Sequence, residues 1–196
     1  VYVPEGTGRA VIDALRRRAR ALGVLEKGGE KIVGLLHGEA GVRRNDFDGA
    51  VRDLGLARVA MQQNGDTVSA AMVGSNLGQI EALRGHWPQA LQEYDSAIGV
   101  FAQFQVRDYL AATLSSKARA QLAMAQPAEA AQAMAGIQPL VEGIQDAALL
   151  VALDVTRMRV QLATGQLDAA EASMRRLRTD EVDGDYGIRA GLRMEL

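Results

Sequence analysis

Residues 85–90, Gly85-His86-Trp87-Pro88-Gln89-Ala90, carry the pattern that decides the fold of this chain. This six-residue segment begins with turn-forming residues and ends in alanine. Degenerate copies of the segment occur every 40 residues. The copies are residues 45–50, 125–130 and 165–170, and counting back once more reaches Ala10. A fixed interval of this size is typical of solenoids and other arrays of one structural unit. The sequence therefore predicts a repeat protein.

Each copy has the features of a tight turn that leads into a helix. Pro88 and Pro127 suit the first turn of a helix, where a missing N–H costs no hydrogen bond. Asp48 and Asp168 place negative charge near the positive end of the helix dipole. Apolar residues at helical spacing precede each turn and also follow it, as over residues 130–142. The unit is therefore a helix, a tight turn, a second helix and a short linker.

The composition agrees with stacked helices. Hydrophobic residues make up 48% of the 196 residues and aromatic residues 4%, and alanine is abundant. Small side chains permit close helix packing, whereas sheets favour β-branched and aromatic residues. One helix pair cannot bury both of its apolar faces, but stacked pairs share a continuous core. We therefore predict an all-α fold of stacked helix hairpins.

Other positions of the repeat resemble the tetratricopeptide repeat. In that family a small residue lies mid-way along the first helix, where the paired helices approach most closely. Twelve residues before the repeated alanines, this chain has Gly38, Gly78, Ala118 and Met158. Four residues after the alanines, where the family has a large apolar side chain, it has Leu54, Tyr94, Met134 and Met174. The resemblance implies a right-handed α-α superhelix of about four to five helix hairpins.

Two features depart from the family pattern. The period is 40 residues rather than about 34, which is similar to the extended repeats of kinesin light chains and of large bacterial transcriptional activators. The proline expected near the end of each second helix is also absent. HEAT-like repeats have about this period and are the alternative fold, but they do not explain the register of alanines and glycines.

The repeat also sets the expected domain organisation. We predict one solenoid domain over residues 1–196, as a fragment of a longer protein. Its full repeats are expected at 29–66, 67–106, 107–146 and 147–182, with partial units at 1–28 and 183–196. Since each partial unit lacks one helix of the pair, end-to-end pairing with a neighbour is the alternative to excision from a longer array.

Signatures of catalysis, metal binding and cofactor binding are missing from the sequence. His37 and His86 lie in different repeats and in no H-E-x-x-H motif, so helix packing and a turn account for them. The chain has no cysteine, which excludes disulfides and thiolate chemistry. Gly6-Thr7-Gly8 lacks the lysine of a P-loop. We therefore expect a protein that is not an enzyme, with no catalytic residue, no cofactor and no metal.

The charge and hydropathy of the chain narrow the class of partner. A net charge of −2 does not favour nucleic acid or an anionic membrane. No apolar run approaches the roughly 18 residues that span a bilayer, and we expect a cytoplasmic location. The one dense basic run is Arg16, Arg17, Arg18 and Arg20. A solvated helix face explains this run, and a nucleic-acid-binding solenoid is the weaker alternative.

The family resemblance implies a ligand groove lined by the first helices of the pairs. The groove positions lie a few residues either side of the small mid-helix residue. In this chain they are Glu39, Arg43, Ser75, Asn76, Gln79, Ser115, Ser116, Arg119, Thr156 and Arg159. Asn76 can both donate to and accept from a peptide backbone. Arg119 and Arg159 are one repeat apart, and a positive strip made by them favours a carboxylate or an acidic segment.

The function expected from these features is binding of a protein or peptide. We expect a scaffold module that serves as the interaction or sensory segment of a larger regulatory or signalling protein. The alternative is a self-assembly module, in which exposed terminal helices build a homo-oligomer and the groove holds no ligand.

Overall fold

The structure, a computed structural model, describes residues 47–178, apart from the side chains of two residues near the end of the last helix. This part of the chain is all-α and contains no strand. Its elements are α1 (Phe47–Gln63), α2 (Thr67–Leu83), α3 (Trp87–Gln103), α4 (Arg107–Ala123), α5 (Pro127–Ala135), a 3₁₀-helix (Gln138–Gly143), α6 (Ala147–Ala163) and α7 (Leu167–Arg178). The chain divides into two compact units, Val1–Ile80 and Glu81–Leu196. The predicted helical repeat is confirmed for the described residues.

Consecutive α-helices begin 20 residues apart, at positions 47, 67, 87, 107, 127, 147 and 167. Five of them, α1 to α4 and α6, have 17 residues each. Within the unit Glu81–Leu196, the helix pairs α4–α5 and α6–α7 therefore begin at Arg107 and Ala147. The 40-residue interval seen in the sequence is one first helix and one second helix, each with a three-residue turn.

The turns share one hydrogen-bond pattern. After α2, the N–H of Gly85 donates to the Ala82 carbonyl (3.0 Å) and the N–H of His86 donates to the Glu81 carbonyl (2.8 Å). This arrangement is a Schellman motif, which satisfies carbonyl groups at the end of a helix. Its left-handed residue is Gly65, Gly85, Gln105, Ala125 or Gly165, with φ between 55° and 77°. The same turn thus joins helices within a pair and between pairs. The sequence predicts a tight turn for the first kind of connection and a short linker for the second.

The connection from α5 to α6 departs from this pattern. The sequence predicts a helix over residues 130–142, but α5 ends at Ala135 and the 3₁₀-helix Gln138–Gly143 follows it. The reason is Pro139, which has no N–H to donate to the carbonyl four residues earlier and whose ring clashes with that carbonyl. The Asp146 side chain then caps α6 by accepting from the N–H groups of Ala148 (2.9 Å) and Leu149 (3.1 Å).

The second helices of the pairs bury a single stripe of side chains. In α3 the buried residues are Ala90, Tyr94, Ala97 and Phe101, and α1 buries the equivalent Ala50, Leu54, Ala57 and Met61. This spacing places the four residues on one face of a helix. The repeated alanines are at closely packed contacts, because residues 50, 90 and 130 are 0% exposed and Ala170 is 3% exposed. Of the large side chains four residues after these alanines, Leu54, Tyr94 and Met134 are buried, whereas Met174 is 39% exposed.

The first helices are buried on several sides. Within the unit Glu81–Leu196, α4 contacts α3, α5, the 3₁₀-helix and α6. Its buried residues are Ala111, Thr113, Ser115, Ser116, Ala118, Ala120 and Gln121. Neighbouring positions of a helix point to different sides, so small or hydrogen-bonded side chains predominate where helices surround α4. Thr113, for example, donates from its hydroxyl to the Tyr109 carbonyl (2.7 Å).

Each compact unit has its own core. In the first unit, Ala50, Leu54 and Met61 of α1 pack with Ala70, Val73, Leu77 and Ile80 of α2. In the second unit, one cluster contains Ala90, Tyr94 and Ala120, with Trp87 packed against it. A larger cluster combines residues of α4, α5 and α6, including Ala111, Ala130 and Leu153. Shared clusters of this kind are what stacked helix pairs need to bury both of their apolar faces.

Several predicted positions lie outside the described residues. They are Ala10, the basic run at residues 16–20, His37, Gly38, Glu39 and Arg43. Within the described part of the chain, no helix combines the length and the apolar character that crossing a bilayer requires.

Candidate ligand-binding surface

The structure divides the predicted groove residues by burial. Ser75 and Ser115 are 6% exposed, Ser116 is 5% exposed and Thr156 is 2% exposed. Asn76 and Arg159 are half-buried, and Gln79 and Arg119 are exposed. The four buried side chains therefore have little surface in contact with solvent. That these positions line a groove stays a prediction.

Ser115 and Thr156 form a contact between the first helices of adjacent pairs. The Ser115 hydroxyl of α4 donates to Oγ1 of Thr156 in α6 (2.9 Å), and the Thr156 hydroxyl lies 3.0 Å from the Ala152 carbonyl, to which it donates. A buried hydroxyl without a partner would cost about 1–3 kcal/mol. Each hydroxyl here has a partner, so the pair joins α4 to α6 without that cost.

Ser116 belongs to a second polar contact, with Tyr94 of α3 and Arg119 of α4. The Tyr94 and Ser116 side chains are hydrogen-bonded, and Nη2 of Arg119 donates to Oγ of Ser116 (3.2 Å). Burial raises the pKa of Tyr94 to about 12, although the Arg119 charge and the Ser116 hydrogen bond act in the opposite direction. The phenol is therefore neutral near pH 7, and the Ser116 contact restrains the exposed Arg119 side chain.

Three groove residues that are exposed or half-buried share one position of the repeat. Gln79, Arg119 and Arg159 are 40 residues apart, on α2, α4 and α6 respectively. Gln79 belongs to the unit Val1–Ile80, whereas the two arginines belong to the unit Glu81–Leu196. Among the predicted groove residues of the second unit, the two cationic side chains, Arg119 and Arg159, are therefore the ones that retain exposed surface.

Alanines flank both arginines on the same helix faces. Residues seven before and four after a helical residue lie on its face. The six residues that result are Arg119, Ala112 and Ala123 of α4, and Arg159, Ala152 and Ala163 of α6. We call these six residues the arginine strip. Ala112 is half-buried and the other three alanines are exposed.

The arginine strip has the chemistry of an anion-binding surface. A guanidinium group presents several N–H donors in a planar fork and binds carboxylates by paired hydrogen bonds. Alanine side chains leave room for a ligand backbone to approach the helices. In the part of the chain that is described, no three His, Cys, Asp or Glu side chains are grouped as a metal site would need.

His86 lies in the turn between α2 and α3. Its Nδ1 is 2.6 Å from Oε2 of Glu81, and the Arg84 side chain donates to Oε1 of the same carboxylate (3.4 Å). These contacts connect the end of α2 to the residue preceding α3. His86 thus has the position expected for a turn residue.

Sequence reasoning missed the polar contacts inside the last pairs. The Ser173 hydroxyl of α7 donates to Oε1 of Gln161 in α6 (2.9 Å). One repeat earlier, the equivalent residues are Ala133 and Gln121. Oε1 of Gln121 is buried and has no hydrogen-bond partner among the described residues. The 40-residue register, applied to polar residues, would have revealed both positions.

Comparison with known proteins supports the fold. No protein-family model matches the sequence, and no curated protein matches it. Among solved structures, the chain is similar to the crystal structure of BtubC (BKLC) from P. vanneervenii, a kinesin light chain-like protein, with a TM-score of 0.73 and 19% sequence identity. The match covers 96% of this chain and 76% of that chain. This likeness shows the fold alone: the chain is a helical repeat protein.

Proposed function

We propose that the chain is a protein- or peptide-binding scaffold module whose ligand lies on the arginine strip. The observation that carries this proposal is the position of Arg119 and Arg159. The two residues occupy the same place in adjacent first helices, while the hydroxyl residues beside them are buried. A segment that runs across α4 and α6 therefore meets two cationic groups.

The physical basis of the proposal is the repetition of one surface position. Stacked helix pairs present equivalent residues side by side, which produces extended surfaces suited to polypeptide ligands. Each guanidinium can make charge-assisted hydrogen bonds, which contribute about 1.5–3 kcal/mol where water is excluded. The fold similarity to BtubC is compatible with a scaffold role and contributes no residue assignment. In this proposal the module is the interaction or sensory segment of a larger regulatory or signalling protein.

A double variant tests the proposed function. Immobilised wild-type protein and Arg119→Ala/Arg159→Ala are used to capture proteins from a lysate of the source organism, and the captured proteins are compared by mass spectrometry. The matched control is Arg84→Ala/Arg175→Ala, which removes the same charge from other parts of the same unit. We expect the wild type and the control to retain a common set of proteins that the strip variant loses. Identical capture by all three, with unchanged helical circular dichroism, would refute the strip as the binding surface.

Self-assembly is the second candidate, and it is favoured by exposed apolar side chains on the last described pair. Leu162 is 51% exposed and Leu167 is 65% exposed, and they flank the turn between α6 and α7. Exposed apolar groups of this kind are commonly covered in an assembly. Light scattering after size-exclusion chromatography distinguishes the two candidates. An oligomer that Leu167→Glu dissociates, together with no ligand of the arginine strip, supports assembly.

A further inference from the structure

We propose that Asn64 is a site of spontaneous deamidation whose rate is set by the turn between α1 and α2. The site is the dipeptide Asn64-Gly65, which directly follows α1. Both residues are exposed, so water reaches them. The site belongs to the unit Val1–Ile80, whereas the arginine strip belongs to the other unit, so this inference is independent of the proposed function.

The chemistry requires an asparagine side chain that is followed by an unhindered backbone amide. The Gly65 nitrogen attacks Cγ of Asn64, a new N–C bond closes a succinimide ring, and the bond between Cγ and Nδ2 breaks. Solvent carries the proton lost by the Gly65 nitrogen to the departing nitrogen, which leaves as ammonia. Water then opens the ring to aspartate or isoaspartate. Glycine has no Cβ, so no side chain hinders the attack.

The described turns that contain a left-handed residue differ at the position before it. The residues at this position are Asn64, Arg84, Phe104, Met124 and Thr164. Nδ2 of Asn64 donates to the Ala60 carbonyl (2.8 Å). In the same way, the Thr164 hydroxyl donates to the Val160 carbonyl (2.9 Å). Both side chains cap the end of a helix, but among these five residues asparagine alone has an amide that can close a succinimide ring.

Hydrogen bonds of the closed turn oppose the reaction. Nδ2 of Asn64, which has to leave, donates to the Ala60 carbonyl. The N–H of Gly65, which has to lose its proton, donates to the Gln62 carbonyl (3.0 Å). Both bonds have to break before the ring closes, so the reaction proceeds from an opened turn. Local opening of an exposed turn costs less free energy than global unfolding, so the folded protein reacts slowly rather than not at all.

Deamidation places a carboxylate where the closed turn has a donor. An aspartate at position 64 cannot donate to the Ala60 carbonyl, as Nδ2 of Asn64 does. Its charge lies at the negative end of the helix dipole, and α1 has no basic residue in its last turn. The Asp66 carboxylate, which accepts from the N–H of Ser69 (3.2 Å), is only two residues further along. The product therefore weakens the turn that controls its own formation.

Mass spectrometry of one tryptic fragment tests the site. Trypsin cuts after Arg58 and Arg84, and the fragment between them contains both Asn64 and Asn76. Asn76 precedes Leu77, whose side chain hinders ring closure, so Asn76 is an internal reference. The full chain is incubated at alkaline pH with and without urea. We expect Asn64 to deamidate at least about tenfold more slowly in the folded protein than in urea, but faster than Asn76 under both conditions.

Two substitutions separate the reaction from its effect on the turn. Asn64→Thr retains a side-chain donor, as Thr164 does in its own turn, and should abolish the mass change at this position. Asn64→Asp carries the charge of one product from the start. Amide exchange measured by NMR compares the two variants at the N–H groups of Gly65 and Asp66. After correction for intrinsic rates, we expect exchange at least about fivefold faster in Asn64→Asp.

Three results would overturn the inference. Deamidation of Asn64 no faster than that of Asn76 in the folded protein would show that position 64 is not a site. Equal rates at Asn64 with and without urea would show that the turn does not control the reaction. Equal amide exchange in Asn64→Asp and Asn64→Thr would show that the product leaves the turn unchanged.

Discussion

The substitution Ala90→Leu examines a fully buried helix contact in the unit Glu81–Leu196. Ala90 is 0% exposed and belongs to a cluster with Tyr94 and Ala120, against which Trp87 packs. Leucine adds three carbon atoms where no space is open to solvent, so neighbouring helices have to move apart or side chains have to leave their preferred rotamers. Overpacking of this kind costs about 1–3 kcal/mol. In a chain of this size, each kcal/mol lowers the Tm by about 2–4 °C.

The single tryptophan provides a local assay for this substitution. Trp87 is the only tryptophan in the sequence and lies three residues before Ala90. Its fluorescence during urea unfolding therefore reports on the unit that contains the substitution. The matched control is Ala102→Leu, at an exposed position of the same helix. Alanine and leucine have similar helix propensities, so we expect the control to differ from the wild type by less than about 0.5 kcal/mol.

A small effect at Ala90 would refute the packing argument. If Ala90→Leu and Ala102→Leu unfold at the same urea concentration, the repeated alanines do not mark tight contacts between helices. The 40-residue register would then have another cause. A lower midpoint for Ala90→Leu alone would support the view that small side chains at this position set the spacing of the helix pairs.

Three further predictions concern the turns, a buried phenol and a buried amide. Gly85 has φ of 77° and no atom within 4 Å of an added Cβ, so Gly85→Ala should cost about 1 kcal/mol from backbone strain alone. Ala125 has φ of 56°, so Ala125→Gly should be neutral or stabilising by about 0.5 kcal/mol. Urea unfolding that reverses this order would contradict the turn assignment. Because the pKa of Tyr94 is raised from 10.0 to about 12, its contribution to stability should be complete below pH 10 and be lost as the pH rises towards 12. Tyr94→Phe should remove this part of the pH dependence, and an unchanged profile would show that Tyr94 is accessible. Finally, Ala133→Ser should give Oε1 of Gln121 a donor and stabilise the protein by about 0.5 kcal/mol. Ser173→Ala, which removes the hydrogen bond to Gln161, should destabilise it by about 1–2 kcal/mol. Destabilisation by Ala133→Ser would show that the helix pairs α4–α5 and α6–α7 are not equivalent at this position.

The sequence predicts the fold well, because the features of a helix pair are local. Ala90 and Ala130 mark buried contacts, and glycines at 65, 85 and 165 mark left-handed turn residues. The equivalent turns at Gln105 and Ala125 carry no such mark, since hydrogen bonds of the Schellman motif hold these residues at positive φ despite their side chains. The end of α5 was within reach of sequence reasoning, because Pro139 alone is sufficient to interrupt an α-helix.

The candidate surface is harder to predict, because burial of a hydroxyl residue depends on helix spacing. Ser115 and Arg119 are four residues apart and share a side of α4, yet one is 6% exposed and the other is exposed. Serine and threonine suit a groove wall and an interhelical hydrogen bond equally well. The choice between them depends on how closely α6 approaches, and this distance is a tertiary property that the spacing of residues along the chain does not contain.

Helix packing separates the small hydroxyl residues of α4 and α6 from the arginines by burial. Where α4 and α6 are closest, Ser115 and Thr156 use their hydrogen-bonding capacity on each other. One turn further along, Arg119 is exposed and Arg159 is half-buried, since a long side chain of this kind keeps its charged end in water. Close packing therefore determines which polar residues of α4 and α6 are withdrawn from solvent. A substitution that widened the α4–α6 contact, such as Ser115→Leu, should alter the spacing of Arg119 and Arg159 and reduce capture of proteins by the proposed arginine strip, although residue 115 is buried.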